Sequence, residues 1–118
     1  MTGFGRLTTH VLDTANGHPA RGMTIDLYRV DGDEAKFEKS VITNDDGRCD
    51  APLLEGEALA PGAYRLCFHA GDYFSRVSGL PVEFLDVIPV DFRVGDATRH
   101  YHVPLLASPF GYSTYRGS

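Results

Sequence analysis

The sequence predicts an all-β chain, a sandwich of seven or eight short antiparallel strands. Two observations carry that reading. Turn-forming residues are dense, with 13 Gly and 7 Pro in 118 residues, so the intervals between them suit strands and are mostly too short for helices. Within those intervals apolar and polar residues alternate with a period of two, the signature of a strand with one face on a core and the other in water.

The first strand is Arg6 to Leu12, where Leu7, Thr9 and Val11 alternate with Arg6, Thr8 and His10. If the apolar set faces the core, His10 faces outward. Asn16-Gly17 and Pro19 turn the chain. Met23, Ile25 and Leu27 against Thr24, Asp26 and Tyr28 make a second strand, and after the polar connection Asp31-Gly32-Asp33-Glu34 a third holds Phe37, Lys39, Val41 and Thr43. Asn44-Asp45-Asp46-Gly47 is a turn in which Gly supplies a positive φ and Asn or Asp bonds to local amides. A short fourth strand is expected from Arg48 to Leu53.

Beyond the loop Glu55 to Pro61, the residues Tyr64, Leu66 and Phe68 alternate with Arg65, Cys67 and His69. Asp72 to Ser78 is read as one or two helical turns capped by Asp72. Phe84 to Val94 is β-rich but contains Pro89, which lacks a ladder donor and so belongs on an edge or at a bulge. Tyr101, Val103 and Leu105 alternate with His100, His102 and Pro104, and a last strand starts near Gly111 and runs toward the terminus.

The length suits one domain, residues 1–118, since a domain averages roughly 150 residues. A hydrophobic share of 42% and a charged share of 23% are those of a folded globular chain. The formal net charge is −5, with no basic face, so nucleic acid and anionic membranes are poor partners. No apolar run approaches the roughly 20 residues that span a bilayer, and the opening MTGFGRLTTHVLD does not read as a secretion signal. A cytoplasmic protein is expected, with Cys49 and Cys67 as two reduced thiols rather than a disulfide framework.

Five histidines invite a metal reading, above all His100-x-His102 on one strand face with His10 as a third ligand. Against it, no recognisable ligand motif or second shell of carboxylates is present, and no metal or cofactor is expected. Without a metal, two imidazoles on polar strand faces suit general acid and base work near neutral pH. Arg48, directly after the Asp-Asp-Gly turn, offers a fixed guanidinium for a planar carbonyl or an oxyanion, or else a surface ion pair with Asp45, Asp46 or Asp50. No Gly-x-Ser-x-Gly elbow or phosphate loop exists, and Cys67 has only His69 close in sequence, so covalent catalysis has no support. The ending Tyr112 to Ser118 combines hydroxyls, a cation and a carboxylate.

Four segments together resemble the 5-hydroxyisourate hydrolases, the enzymatic branch of the transthyretin-like family: Leu7-Thr8-Thr9-His10-Val11-Leu12-Asp13, Thr43-Asn44-Asp45-Asp46-Gly47-Arg48, His100-Tyr101-His102-Val103-Pro104-Leu105-Leu106 and Tyr115-Arg116-Gly117-Ser118. The turn and the segment Gly62-Ala63-Tyr64-Arg65-Leu66 are common to many prealbumin-like sandwiches. The His-x-His strand and the Tyr-Arg-Gly-Ser ending resemble the hydrolases specifically. The resemblance implies a transthyretin-like sandwich of two four-stranded antiparallel sheets with one short helix, a homotetramer built as a dimer of dimers, and active sites where the dimers meet. It implies hydrolysis of 5-hydroxyisourate to 2-oxo-4-hydroxy-4-carboxy-5-ureidoimidazoline in urate degradation. It also places His10, Arg48, His102 and Ser118 as catalytic residues, and His10, Arg48 and Tyr115 against substrate. The alternatives are a transthyretin-type carrier of small molecules and a prealbumin-like interaction domain.

Overall fold

A computed structural model describes residues 5–117. The strands are β1 (Arg6–Asp13), β2 (His18–Pro19), β3 (Thr24–Asp31), β4 (Glu34–Ile42), β5 (Leu54–Glu55), β6 (Gly62–His69), β7 (Val87–Val94), β8 (His100–Ala107) and β9 (Tyr112–Thr114). One helix, α1 (Ala70–Ser78), follows β6. Two sheets result. One has the order β2-β1-β8-β9, with β5 also paired to β1, and the other the order β4-β3-β6-β7.

Alternation builds the core between them. Leu7 and Val11 of β1, Ile25 and Leu27 of β3, Leu66 and Phe68 of β6 and Leu105 of β8 are all fully buried, each stabilising the fold by about 2 kcal/mol relative to exposure. The intervening residues of β1, Thr8 and His10, are half-buried on the opposite face. The sandwich and its helix are therefore those the sequence predicts.

Four details differ. The sheets are not wholly antiparallel, because β1 and β8 run parallel, with Arg6 opposite His100, Thr8 opposite His102 and His10 opposite Pro104. Alternation specifies which face a residue takes and not which way its neighbour runs, and no hairpin constrains two strands at opposite ends of the chain. Second, no strand spans Arg48 to Leu53. Arg48 makes one isolated bridge to His10, and pairing resumes only at Leu54–Glu55. Third, α1 starts at Ala70 rather than at an Asp72 cap. His69 occupies the cap position without a side-chain capping bond, its ring being bonded to Asp26 instead, and Asp72 sits in the first turn, where its charge favours the helix dipole. Gly71 lets that turn meet Asp86, whose Oδ1 would stand 2.4 Å from any Cβ there. Fourth, β4 begins at Glu34, inside the expected connection, while β7 begins at Val87 and β9 ends at Thr114. Pro89 lies on β7, at the edge of its sheet, as a residue without a ladder donor must.

Candidate active site on the outer face of the first sheet

The face of β1 and β8 turned away from the core carries Arg6, Thr8 and His10 beside His100, His102 and Pro104. What surrounds this face is fixed by the turn after Thr43. The Asn44 side-chain oxygen accepts from the amides of Asp46 at 2.9 Å and Arg48 at 3.1 Å. Gly47 has φ 73°, and a Cβ there would lie 2.3 Å from the Val11 carbonyl, so both the conformation and the close approach require glycine. The turn is thereby laid against β1. The Val11 amide donates to the Gly47 carbonyl at 2.8 Å, and Arg48 bridges to His10.

His10 is oriented by the same turn. Its Nε2 lies 2.9 Å from the Asp46 carbonyl. A carbonyl only accepts, so the proton is on Nε2 and Nδ1 keeps its lone pair. His102 is held through Nδ1, 2.8 Å from the Thr8 hydroxyl, and through its backbone, whose carbonyl accepts from the Gly117 amide at 2.8 Å. Burial pushes the pKa of each imidazole below 6.5, and the Arg48 guanidinium pushes it further down. For His10 the bond to Asp46 opposes this shift, whereas for His102 the neighbouring His10 and His100 add to it. Both rings are consequently held neutral at pH 7, the state in which an imidazole accepts a proton.

A cleft of about 440 Å³ opens at His102 and Arg48, with Arg6, Thr8, Arg48, Asp50, His100 and His102 in its wall, and His10 lies next to that wall through its bridge to Arg48. The ion pair foreseen between Arg48 and a neighbouring aspartate is not formed. Asp45 pairs with Arg21 at 2.9 Å, Asp50 accepts from the Asn44 side-chain amide at 2.9 Å, and among the described residues the Arg48 guanidinium meets no acceptor. An exposed guanidinium with free donors beside two neutral imidazoles can polarise a carbonyl while a proton moves in and out.

His10, Arg48 and His102 are thus brought together. Tyr115 is not in the cleft wall. It is 60% exposed and borders His102 from the other side, in a depression shared with Thr114, Arg116 and β7. Ser118 lies outside the described residues. Among those residues no three His, Cys, Asp or Glu side chains gather as a metal-binding set, and Cys49 and Cys67 are half-buried free thiols. No helix is long and apolar enough to cross a membrane.

Sequence reasoning does not single out Thr8, Gly117 or Arg6 as site residues. For Thr8 and Arg6 the signal was present, since both share the outward set of β1 with His10. For Gly117 it was absent, because nothing local tells that an imidazole lies on it.

The HIUase/Transthyretin family description matches residues 7–117. The chain is 58% identical over its whole length to "5-hydroxyisourate hydrolase 2" of Rhizobium meliloti (strain 1021), the whole of which it covers. The structure of Klebsiella pneumoniae 5-hydroxyisourate hydrolase superposes with a TM-score of 0.81 at 37% identity, covering 97% of this chain and 99% of that one. An (S)-allantoin synthase superposes with a TM-score of 0.90 at 44% identity, and this chain, 99% covered, spans 45% of that protein.

Proposed function

The chain belongs to the HIUase/Transthyretin family, and on that premise we propose that it hydrolyses 5-hydroxyisourate to 2-oxo-4-hydroxy-4-carboxy-5-ureidoimidazoline in urate degradation. The observation that carries the reading is the Arg48 guanidinium, without an acceptor among the described residues, standing in one cleft with the neutral imidazole of His102 and bridged to the strand position of His10 beside it, in a chain 58% identical throughout to a relative named for this reaction.

The substrate is a planar heterocycle rich in carbonyls, and the step is attack of water on a ring acyl carbon. His10 and His102 share the proton work, one taking a proton from water and the other returning one to the leaving ring nitrogen. Neither role requires a covalent intermediate or a metal. Arg48 donates to the substrate oxygen and to the charge that builds on it. Tyr115 borders His102 outside the cleft wall, so its hydrogen bond to the ring requires the exposed side chain to swing over His102, and the end at Ser118 orders the site.

The same reading takes residues 1–118 as one domain and the assembly as a dimer of dimers, with active sites where the dimers meet. The site's position on an outward sheet face supports this, for a second subunit laid over that face turns an open cleft into a channel. A cytoplasmic location accords with the two free thiols.

The test generates 5-hydroxyisourate in place with urate oxidase and follows its ultraviolet absorbance with and without this protein, in the presence of a chelator. Accelerated decay is expected. Decay at the uncatalysed rate overturns the reading, and acceleration lost with the chelator overturns its metal-free form.

A further inference from the structure

The cleft contains more cationic capacity than an acyl transfer to water needs. One guanidinium suffices to stabilise a developing oxyanion, and Arg48 stands ready for it. Arg6 is a second. It is the register partner of His100 on the parallel strand, one step along the same face from the pair Thr8 and His102, and it shares the cleft wall with Arg48. Its Nε is turned onto Nε2 of His100, which bends the side chain across the sheet and leaves the two terminal nitrogens to donate elsewhere. Arg21, Arg29, Arg65 and Arg99 each have a carboxylate within 4 Å; among the described residues Arg6, Arg48, Arg76, Arg93 and Arg116 have none, and of these only Arg6 and Arg48 line this cleft. The single carboxylate in the cleft wall, Asp50, is already bonded to Asn44. In a chain of net charge −5, two unpaired guanidiniums facing one cleft mark a place for an anion.

The reaction makes one. Water oxygen bonds to the acyl carbon, the acyl C–N bond breaks, one water proton passes to the ring nitrogen, and the other is released, leaving a carboxylate. Resting on the hydrolase reading above, we infer that Arg6, held by His100, is a carboxylate-receiving subsite that binds the ring-opened product by the group the reaction creates. The two terminal nitrogens of Arg6 match the two oxygens of a carboxylate, and Arg48 stays with the oxygen at the reacting centre.

The experiment compares two planar probes that differ by the group in question, orotate, a heterocyclic carboxylate, and uracil, its neutral parent. Their binding to the intact protein is measured by titration calorimetry at low ionic strength, where an exposed charge is least screened. Orotate is expected to bind about tenfold more tightly than uracil to the unaltered protein. Arg6→Gln should abolish that preference, Arg6→Lys should restore part of it, and Lys36→Gln, which removes a charge on the other sheet, should leave it intact. Equal binding of the two probes to the unaltered protein overturns the subsite, as does a preference that survives Arg6→Gln. If the protein fails to speed 5-hydroxyisourate decay while the preference is present and lost in Arg6→Gln, the reaction assignment falls and the carboxylate subsite stands.

Discussion

Gly117 lies directly beneath the imidazole of His102. A β-carbon at residue 117 would stand 2.4 Å from Cδ2 of that ring, closer than real carbons approach, and a tight 3.1 Å from its Cγ. The close fit comes from the bridge that joins the two backbones and from Arg116, whose guanidinium sits 4.8 Å over the Tyr101 ring and donates to the His100 carbonyl at 3.2 Å. The residue is needed for its missing side chain.

Gly117→Ala therefore displaces the His102 ring from its bond to Thr8. Turnover should fall by at least about tenfold, since small misplacements of a catalytic group are costly, while the melting temperature stays within about 3 °C. Steady-state rates and a thermal scan check this. An alanine variant with full activity refutes the seating of His102.

His10→Ala, Arg48→Ala and His102→Ala should each lower kcat/KM by about a hundredfold or more, with the fold retained, because all three side chains are half-buried or exposed on an outward face. Circular dichroism and 5-hydroxyisourate decay measured on the same samples separate a lost site from a lost fold.

The pH profile follows from the direction of the histidine shifts. Burial and then Arg48 hold both imidazoles below 6.5, so the acid limb of the rate profile should have its midpoint below 6.5. Removing the guanidinium with Arg48→Gln makes imidazolium less costly and should move that midpoint up, toward 6.5. Stability takes the same sign. Below 6.5 the unfolded chain binds protons that the folded one resists, so the contribution of these rings is fully present above 6.5 and is lost as pH falls through the lowered values.

Asn44→Ala removes the acceptor of the Asp46 and Arg48 amides. A loss of about 1–2 kcal/mol is expected in denaturant unfolding, together with a fall in activity, because Arg48 is placed by that turn. Activity unchanged in the folded variant refutes the turn's role in placing Arg48.

Much of the site was legible because strand alternation reports the face a residue takes. Neighbouring residues alone assign His10 and His102 to polar faces, and those faces prove to be one. What alternation omits is the partner. The parallel register that sets Thr8 against His102 and Arg6 against His100 joins segments 94 positions apart, and no local pattern encodes it. Arg48 was expected to begin a strand, yet Asn44 bonds its amide and keeps it in a turn, a preference of Asn side chains for nearby backbone that competes with pairing. Tyr115 and Ser118 entered through the ending's resemblance, and of the two the structure sets Tyr115 beside His102 rather than in the cleft.

The parallel pairing of β1 with β8 also governs when the site comes into being. A hairpin such as β3 with β4 closes a short loop, whereas joining β1 to β8 closes a loop of nearly the whole chain, the slowest kind of contact to nucleate. During synthesis β1 is complete long before β8 is made, so His10 waits for His102 until β8 has emerged. Catalytic competence is accordingly a late event of folding, and recovery of turnover after dilution from denaturant reports the arrival of the last strands rather than the collapse of the core.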